Sequence, residues 1–221
     1  MDPDFWLQRW QENKIGFHLG EVNPLLVTHF PQLQIPPPAR VFVPMCGKSV
    51  DMVWLRAQGY EVEAVEISPV AIEAFFREQR LPAESQIVGG LTRWQADGLG
   101  IWCADFFALT SAHIGEIDVS YDRAALIAMP KQRRPAYARK LLEITAGAPQ
   151  LLITLDYPQA QMAGPPFAVP QDEVARLYGS TYPGRTAPHE SVDILPTEGR
   201  FAERGLTALY ENVYLLQVPK K

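Results

Sequence analysis

The sequence predicts an α/β fold of three layers, in which a mostly parallel sheet lies between helices and ends in an antiparallel C-terminal hairpin. After residue 38, short apolar strands alternate with amphipathic helices. Residues 151–155 are apolar except for Thr154, as in a strand that is covered on both faces. Residues 192–195 and 213–218 read as strands with no long helix between them, which favours antiparallel pairing at one edge.

The first part of the chain, residues 1–38, is predicted to form a helical lid. An amphipathic stretch carries Trp6 and Trp10 four residues apart, on one face of a helix. Asn23-Pro24 is typical of a helix start, a capping side chain followed by proline. A run of prolines then marks a boundary. We therefore expect one domain, residues 1–221, with its α/β core at residues 39–221.

The core elements start and stop at informative residues. Ser49 is predicted to cap a helix that stops at Gly59, and Ser68-Pro69 to open the next helix. Asp97-Gly98 predicts a hairpin. Further helices are expected at about residues 135–145 and 171–178, and strands at residues 41–43, 62–67, 94–96, 99–103, 117–121, 151–155, 192–195 and 213–218.

Composition narrows the class of protein. The 221 residues are 47% apolar and 20% charged, as in an ordinary globular protein, and the formal net charge is −5. No basic footprint favours nucleic acid, and no apolar run predicts a membrane span or a signal peptide. Cys46 and Cys103 are far apart, which makes a disulfide framework or a zinc site unexpected. We expect a cytoplasmic monomer that acts on a small molecule.

The stretch VFVPMCGKS, residues 41–49, ends like a phosphate-binding loop. A Walker A loop would need glycine at position 42, where the chain has Phe42. A dinucleotide fingerprint would need further glycines beside Gly47, and none is present. A third kind of ligand is a nucleoside that lacks phosphates and is joined to an amino acid. Such a ligand needs only one tight turn at the end of the first strand.

Two acidic residues fit that third ligand. Glu66 ends the second strand about 20 residues after Gly47, where a carboxylate can accept both ribose hydroxyls. Asp105 follows the strand at residues 99–103, the third strand of the predicted core, where it can accept from an adenine amino group. Together the three positions predict a pocket for S-adenosylmethionine. Simpler interpretations stay open: Glu66 as an acid at a helix start, Asp105 as a helix cap, and Gly47 as an ordinary turn glycine.

Four segments together resemble thiopurine S-methyltransferases, a branch of the class I S-adenosylmethionine-dependent methyltransferases with their Rossmann-like fold. The longest is VPMCGKSVDMVWLRAQGYEVEAVEIS, residues 43–68. The others are WLQRW at residues 6–10 followed by GFH at residues 16–18, YDRAAL at residues 121–126 and GPPF at residues 164–167. The resemblance covers nearly the whole chain.

The resemblance implies S-adenosyl-L-methionine as the methyl donor, an aromatic or heterocyclic thiol as the acceptor, and no metal. It implies that an N-terminal segment closes over both ligands, with Trp6 and Trp10 at the donor and Phe17 at the acceptor. In the same way, Met45 and Gly47 are implied to line the methionine part, Glu66 to bind the ribose, Ala104 and Asp105 to border the adenine, and Arg123 to lie by the sulfonium and the acceptor.

Methyl transfer from a sulfonium to a thiolate is an in-line displacement, so alignment matters more than a nucleophilic side chain. The absence of a triad-like pattern agrees with that chemistry. A fixed cation favours the ionised thiol, and Arg123 is our candidate catalytic residue, because arginine stays charged. The alternative is an ion pair with Asp122 or Asp118. Phe167 is expected in one wall of a flat acceptor slot, unless its loop is only a stiff linker.

Several points stay open. Trp6 and Trp10 either face the sulfonium or only anchor their helix. His18 is more often structural in such a place than catalytic, and Cys46 fits packing better than nucleophilic attack. Two rival functions remain: methylation of selenium, tellurium or halide nucleophiles, as in metalloid detoxification, and nucleoside binding without catalysis.

Overall fold

The computed structural model describes residues 3–218, so residues 1–2 and 219–221 of the predicted domain lie outside the described residues. Its strands are β1 (Arg40–Val43), β2 (Glu61–Glu66), β3 (Glu84–Val88), β4 (Leu91–Ala96), β5 (Leu99–Cys103), β6 (Val119–Arg123), β7 (Gln150–Asp156), β8 (Glu190–Asp193) and β9 (Tyr210–Leu216). Its α-helices are α1 (Pro3–Gln11), α2 (Pro24–His29), α3 (Asp51–Ala57), α4 (Pro69–Glu78), α5 (Ser111–Ile114), α6 (Arg134–Ile144), α7 (Gln171–Tyr178) and α8 (Gly199–Glu203).

The strands form one sheet in the order β3-β4-β5-β2-β1-β6-β7-β9-β8. The central run from β5 to β7 is parallel, and both flanks are antiparallel. The predicted mostly parallel sheet with an antiparallel C-terminal edge is confirmed. The chain adds β2 on one side of β1 and β6 on the other, so the switch in strand order lies between β1 and β6. Ligand crevices form at such switch points.

The core lies on both faces of the sheet because side chains alternate along each strand. Val41 and Val43 pack with Leu55 of α3 and Phe75 of α4. Phe42, between them, belongs to a second cluster on the opposite face, with residues of α6 and α7. Among residues 3–218, the structure contains no helix with the length and apolar character needed to span a bilayer.

Two of the predicted helix starts are confirmed, and a third differs. The Asn23 side chain accepts from the backbone N–H of Leu25 at 2.8 Å and caps α2. Ser68 caps α4 in the same way. Ser49 lies one position too early to cap α3, although its hydroxyl accepts from the N–H of Asp51 at 3.2 Å.

The sequence-based assignment missed β3 and shifted β6. Strand β3 is exposed along its whole length, so it has no apolar face to signal a strand. Its turn into β4 is Gly89-Gly90 with φ of 58° and 83°, a two-residue hairpin signal that the sequence contains. Strand β6 begins at Val119, and just before it the Asp118 carboxylate accepts from the N–H of Arg40 while its own N–H donates to the Arg40 carbonyl. Arg123 is therefore the last residue of the strand.

Candidate active site

A cavity of about 690 Å³ lies at the carboxyl ends of the parallel strands. That volume suits a drug-sized ligand with a small partner beside it. The residues that follow β5, β2, β1 and β6 form successive parts of its wall. The predicted site residues that line it are Trp6, Trp10, Phe17, Met45, Gly47, Glu66, Ala104, Asp105 and Arg123.

Glu66 joins the two turns that follow β1 and β2 at the cavity. One carboxylate oxygen, Oε2, accepts from the N–H of Gly47 and the other, Oε1, from the N–H of Ser68, both at 2.9 Å. Burial raises the pKa of this carboxyl, and the N–H groups oppose the shift. Oε1 therefore plays the part of an acid at a helix start, as one of the open interpretations has it, whereas Oε2 holds the glycine turn. Each oxygen keeps a second lone pair, so ribose binding stays a prediction that the geometry allows.

Gly47 is more than an ordinary turn glycine. Its φ is +54°, and a Cβ atom there would lie 2.9 Å from Cζ2 of Trp10. The indole therefore packs directly on the Cα atom of the turn, which only glycine allows at this distance. Lys48, the next residue, pairs with Glu78 of α4 at 2.8 Å and does not point a free ammonium group at a phosphate position.

We expect Gly47→Ala to lower the free energy of unfolding by about 1–3 kcal/mol more than Gly184→Ala does. Gly184 is the matched control because its φ is +72° with no atom within 4 Å of an added Cβ. Both variants pay for a left-handed alanine, and only the first adds the clash with Trp10. Chemical denaturation of both variants, repeated in a Trp10→Ala background, measures this difference in the free energy of unfolding. An excess penalty that survives the loss of the indole would contradict the contact.

The aromatic residues of the N-terminal segment pack against each other over the cavity. The ring of Phe17 lies edge-on between Trp6 and Trp10, at centroid distances of 5.4 and 5.5 Å. Such pairs add about 0.5–1.5 kcal/mol beyond burial. Both tryptophans therefore help to hold the segment together, and both also line the cavity.

Ala104 and Asp105 follow β5, at the end of the cavity beyond Glu66. One carboxylate oxygen of Asp105 accepts from the N–H of Phe107 at 2.9 Å and caps a short 3₁₀ helix. The cap interpretation is therefore correct for that oxygen. The side chain is exposed and also faces the cavity, so the predicted contact with an adenine amino group stays compatible with the cap.

Arg123 ends β6 and lines the cavity without an ion pair. Within residues 3–218, no acidic oxygen lies within 4.0 Å of its guanidinium. The alternative partners are occupied elsewhere: Asp122 is buried and accepts from Tyr137, and Asp118 accepts from Arg40. A cation without a partner at a cavity wall is available to a ligand.

Phe167 is the one predicted site residue that the structure does not bring to the cavity. Gly164, Pro165 and Pro166 line it, but Phe167 does not appear among the lining residues within 3–218. Its ring packs back against Gly164 and lies 5.9 Å from the guanidinium carbon of Arg134. Its N–H donates to Ile127 at 2.7 Å, which turns the backbone away after the prolines. The proline part of the loop forms the wall instead.

A C-terminal segment that the sequence did not predict also covers one side of the cavity. Residues 194–204, including α8, bring Glu198, Arg200, Phe201 and Arg204 to the cavity. Arg200 donates to the backbone carbonyl of Gly16 and so joins this segment to the N-terminal one. The stretch lacks a strong helical pattern, and the two segments are far apart in the chain, so the sequence carries no signal for this contact.

His18 and Cys46 also lie at the cavity. Burial, with a contribution from the charge of Lys48, lowers the pKa of His18, which favours the neutral ring. Burial raises the pKa of the Cys46 thiol well above its usual range, which favours the packing interpretation. Among residues 3–218, no group of three potential ligands is placed to hold a metal ion.

The sequence of the chain matches a known protein family. Residues 1–219 match the family model described as "Thiopurine S-methyltransferase (TPMT)". A thiopurine S-methyltransferase from Nitrosospira multiformis is 46% identical over 217 residues, 98% of each chain. One from Pseudomonas aeruginosa is 45% identical over 218 residues, 98% of this chain and 99% of that one.

Comparison with solved structures supports the fold. A methyltransferase from Thiobacillus denitrificans in complex with S-adenosyl-L-homocysteine has a TM-score of 0.62 at 15% identity, over 96% of this chain and 98% of that one. The 1,6-didemethyltoxoflavin-N1-methyltransferase of Burkholderia thailandensis, with S-adenosylhomocysteine bound, has a TM-score of 0.61 at 16% identity, over 97% and 87%. At such identities the likeness concerns the fold alone.

Proposed function

Because this chain belongs to the thiopurine S-methyltransferase family, we propose that it transfers a methyl group from S-adenosyl-L-methionine to the sulfur of aromatic and heterocyclic thiols such as thiopurines. Its fold is that of the class I S-adenosylmethionine-dependent methyltransferases. The observation that carries the proposal is that Glu66 and Arg123 lie at one cavity: the first is a buried carboxylate next to the glycine turn, and the second is a cation that forms no ion pair within residues 3–218.

The order of the strand ends supports one direction for the donor. From β5 through β2 and β1 to β6, the wall presents Asp105, Glu66, Gly47 and Arg123. Adenine, ribose, methionine part and acceptor follow in the same order. Glu66 would accept from the ribose hydroxyls, and the glycine turn would border the methionine part. When bound, the donor supplies an electrophilic methyl group whose leaving group is a neutral thioether.

The residues of the chain contribute mainly alignment, charge and exclusion of water. A thiolate is already a good nucleophile, and well-oriented reactants gain on the order of 7–11 kcal/mol. The Arg123 guanidinium would hold the acceptor in its ionised form and donate to its ring nitrogens. Residues 1–38 would act as a lid, and the Arg200 contact to Gly16 couples that lid to the C-terminal segment.

Paired thiol and alcohol acceptors test the proposal. We would incubate the protein with methyl-labelled S-adenosyl-L-methionine and either a 6-thiopurine or the corresponding 6-oxopurine, with thiophenol and phenol as a second pair. Methylation of the sulfur compounds alone is the expected result. Equal transfer to oxygen, or donor binding without transfer to any thiol, would overturn it.

The same assay tests the alternative acceptors. Selenols and tellurite serve as further acceptors, and a higher kcat/KM for them than for any thiol would favour the metalloid alternative. A monomer and a cytoplasmic location stay predictions. Sedimentation of the purified protein checks the first of these.

A further inference from the structure

A second buried carboxylate, outside the predicted set, belongs to the wall of the cavity. Asp51 opens α3, four residues after the glycine turn, and is 1% exposed. Its Oδ1 accepts from the backbone N–H of Asn23 at 2.8 Å, and its Oδ2 from the Tyr121 hydroxyl at 2.9 Å. All three residues line the cavity. We propose that Asp51 binds the α-ammonium group of the methionine part of the donor.

Among residues 3–218, no cationic side chain forms an ion pair with Asp51, although its charge acts on the ring of His18, and Arg123 acts on the same Tyr121 hydroxyl. The hydrogen-bond donors to Asp51 are a neutral amide and a neutral hydroxyl, and no ion pair within 4.0 Å involves it among residues 3–218. The nearest lysine in the sequence, Lys48, is paired with Glu78. A buried carboxylate without a cation is costly unless a ligand supplies one. Asp51 therefore favours a positively charged group at this end of the cavity.

The donor has two positive groups, and their chemistry separates them. An ammonium group has three N–H donors, and two of them can be accepted by the one lone pair that Asp51 keeps on each oxygen. A sulfonium has no N–H and must leave its methyl group open to the acceptor, where a carboxylate would compete as a nucleophile. The position agrees with the ammonium: Asp51 lies on the β1 side of the cavity, beyond Gly47 as counted from the ribose residue Glu66.

Asn23 and Tyr121 act as positioning residues. Asn23 caps α2 with its side chain, and its backbone N–H donates to Asp51. The predicted lid is therefore hydrogen-bonded to the carboxylate through Asn23. Burial and the Asp51 charge raise the pKa of Tyr121 well above its usual range, which keeps the hydroxyl a proton donor. The carboxylate is thus held from two sides with its remaining lone pairs free for a ligand.

The test is calorimetric binding of S-adenosyl-L-methionine, S-adenosyl-L-homocysteine and 5′-methylthioadenosine to the wild type, Asp51→Asn and Tyr121→Phe. The first ligand has both positive groups, the second only the ammonium, and the third neither. We expect Asp51→Asn to weaken the first two by on the order of 10- to 100-fold, the range for a hydrogen bond to a charged group. We expect the affinity for 5′-methylthioadenosine to stay within about twofold.

Tyr121→Phe keeps the carboxylate, so it remains informative if Asp51→Asn does not fold. It should weaken the same two ligands by a few-fold and spare the third. Asp122→Asn is the matched control. Asp122 is also buried, accepts from a tyrosine hydroxyl at 2.8 Å and a backbone N–H, but does not line the cavity among the described residues. Asp122→Asn should lower the melting temperature without weakening any one of the three ligands more than the others.

Each other result is decisive. Equal loss for all three ligands would assign Asp51 a structural role, loss for S-adenosyl-L-methionine alone would assign it to the sulfonium, and unchanged affinities would remove it from the site. All three overturn the inference. Tighter binding of the two amino-acid ligands would do so as well, because it would put the donor's carboxylate at Asp51. The inference rests on the proposed function: wild-type protein that binds none of the three ligands would refute that function first.

Discussion

Glu66→Ala is expected to weaken the binding of S-adenosyl-L-homocysteine by at least about 100-fold, because it removes the acceptor of the ribose hydroxyls. Charge-assisted hydrogen bonds contribute about 1.5–3 kcal/mol each, and two of them exceed the 2.8 kcal/mol or so that corresponds to 100-fold. The variant also frees the N–H groups of Gly47 and Ser68, which Glu66 holds at 2.9 Å. Isothermal titration calorimetry measures the loss.

The choice of ligand separates Glu66 from Asp51. A ribose contact predicts that Glu66→Ala weakens S-adenosyl-L-homocysteine and 5′-methylthioadenosine alike, since both carry the sugar. Glu66→Gln keeps one acceptor oxygen and should be intermediate. Because burial raises the pKa of Glu66, the affinity should fall on acidification from a higher pH than for an ordinary carboxyl, as the protonated group loses acceptor capacity.

Glu63→Gln is the control for burial and charge. Glu63 lies on the same strand, is 5% exposed, and pairs with Arg93 at 2.8 Å instead of lining the cavity. Its loss should cost stability, because breaking a buried pair leaves a charge without a partner. It should leave both ligand affinities within about twofold. If Glu66→Ala showed the same pattern, the ribose role would be wrong.

Arg123→Ala is expected to lower kcat/KM for a thiopurine by about 10²- to 10³-fold, the usual loss when a donor to a reacting anion is removed from a water-excluded site. Arg123 lies at the end of β6 and forms no ion pair among the described residues; burial raises the pKa of its acidic neighbour Glu211, and the Arg123 charge opposes that shift. Steady-state kinetics at saturating donor measures the loss, and a donor titration separates it from weaker donor binding.

A series of thiols with different acidity identifies the mechanism. If the charge of Arg123 favours the thiolate, the loss should shrink for acidic thiols, which are ionised without help, and at high pH. Arg123→Lys keeps the charge without the planar fork and should recover part of the rate. Arg56→Ala, on α3 and outside the cavity lining of the described residues, should keep kcat/KM within about twofold. A loss of twofold or less for Arg123→Ala would exclude the role.

Local signals in the chain were enough for most of the fold. Helix caps at Asn23 and Ser68 act within a few residues, and nearly continuous apolar runs such as that in β7 indicate strands covered on both faces. These patterns predicted the parallel core and the C-terminal edge. Strand β3 was not predicted because it is exposed throughout, although the Gly89-Gly90 pair indicates the hairpin that follows it.

The part of the site at the ends of β1, β2 and β5 was also predictable from the sequence, because these strands are parallel neighbours in the sheet. Parallel strands bring their carboxyl ends to one edge, so Gly47, Glu66 and Asp105 had to meet once the strands were identified. Their roles at a ligand remain predictions, but their common place does not depend on distant packing.

The sequence by itself therefore determined the parallel core of the sheet with its antiparallel C-terminal edge, the glycine turn, and the carboxylate that ends the second strand, since short-range periodicity and strand direction specify all three. Only the tertiary structure decided that Trp10 covers Gly47, that Arg200 joins the two covering segments, that Asp51 meets Tyr121, and that Phe167 turns away from the cavity. These contacts join residues from 3 to 184 positions apart through side-chain packing and loop paths, which no local pattern of residues encodes.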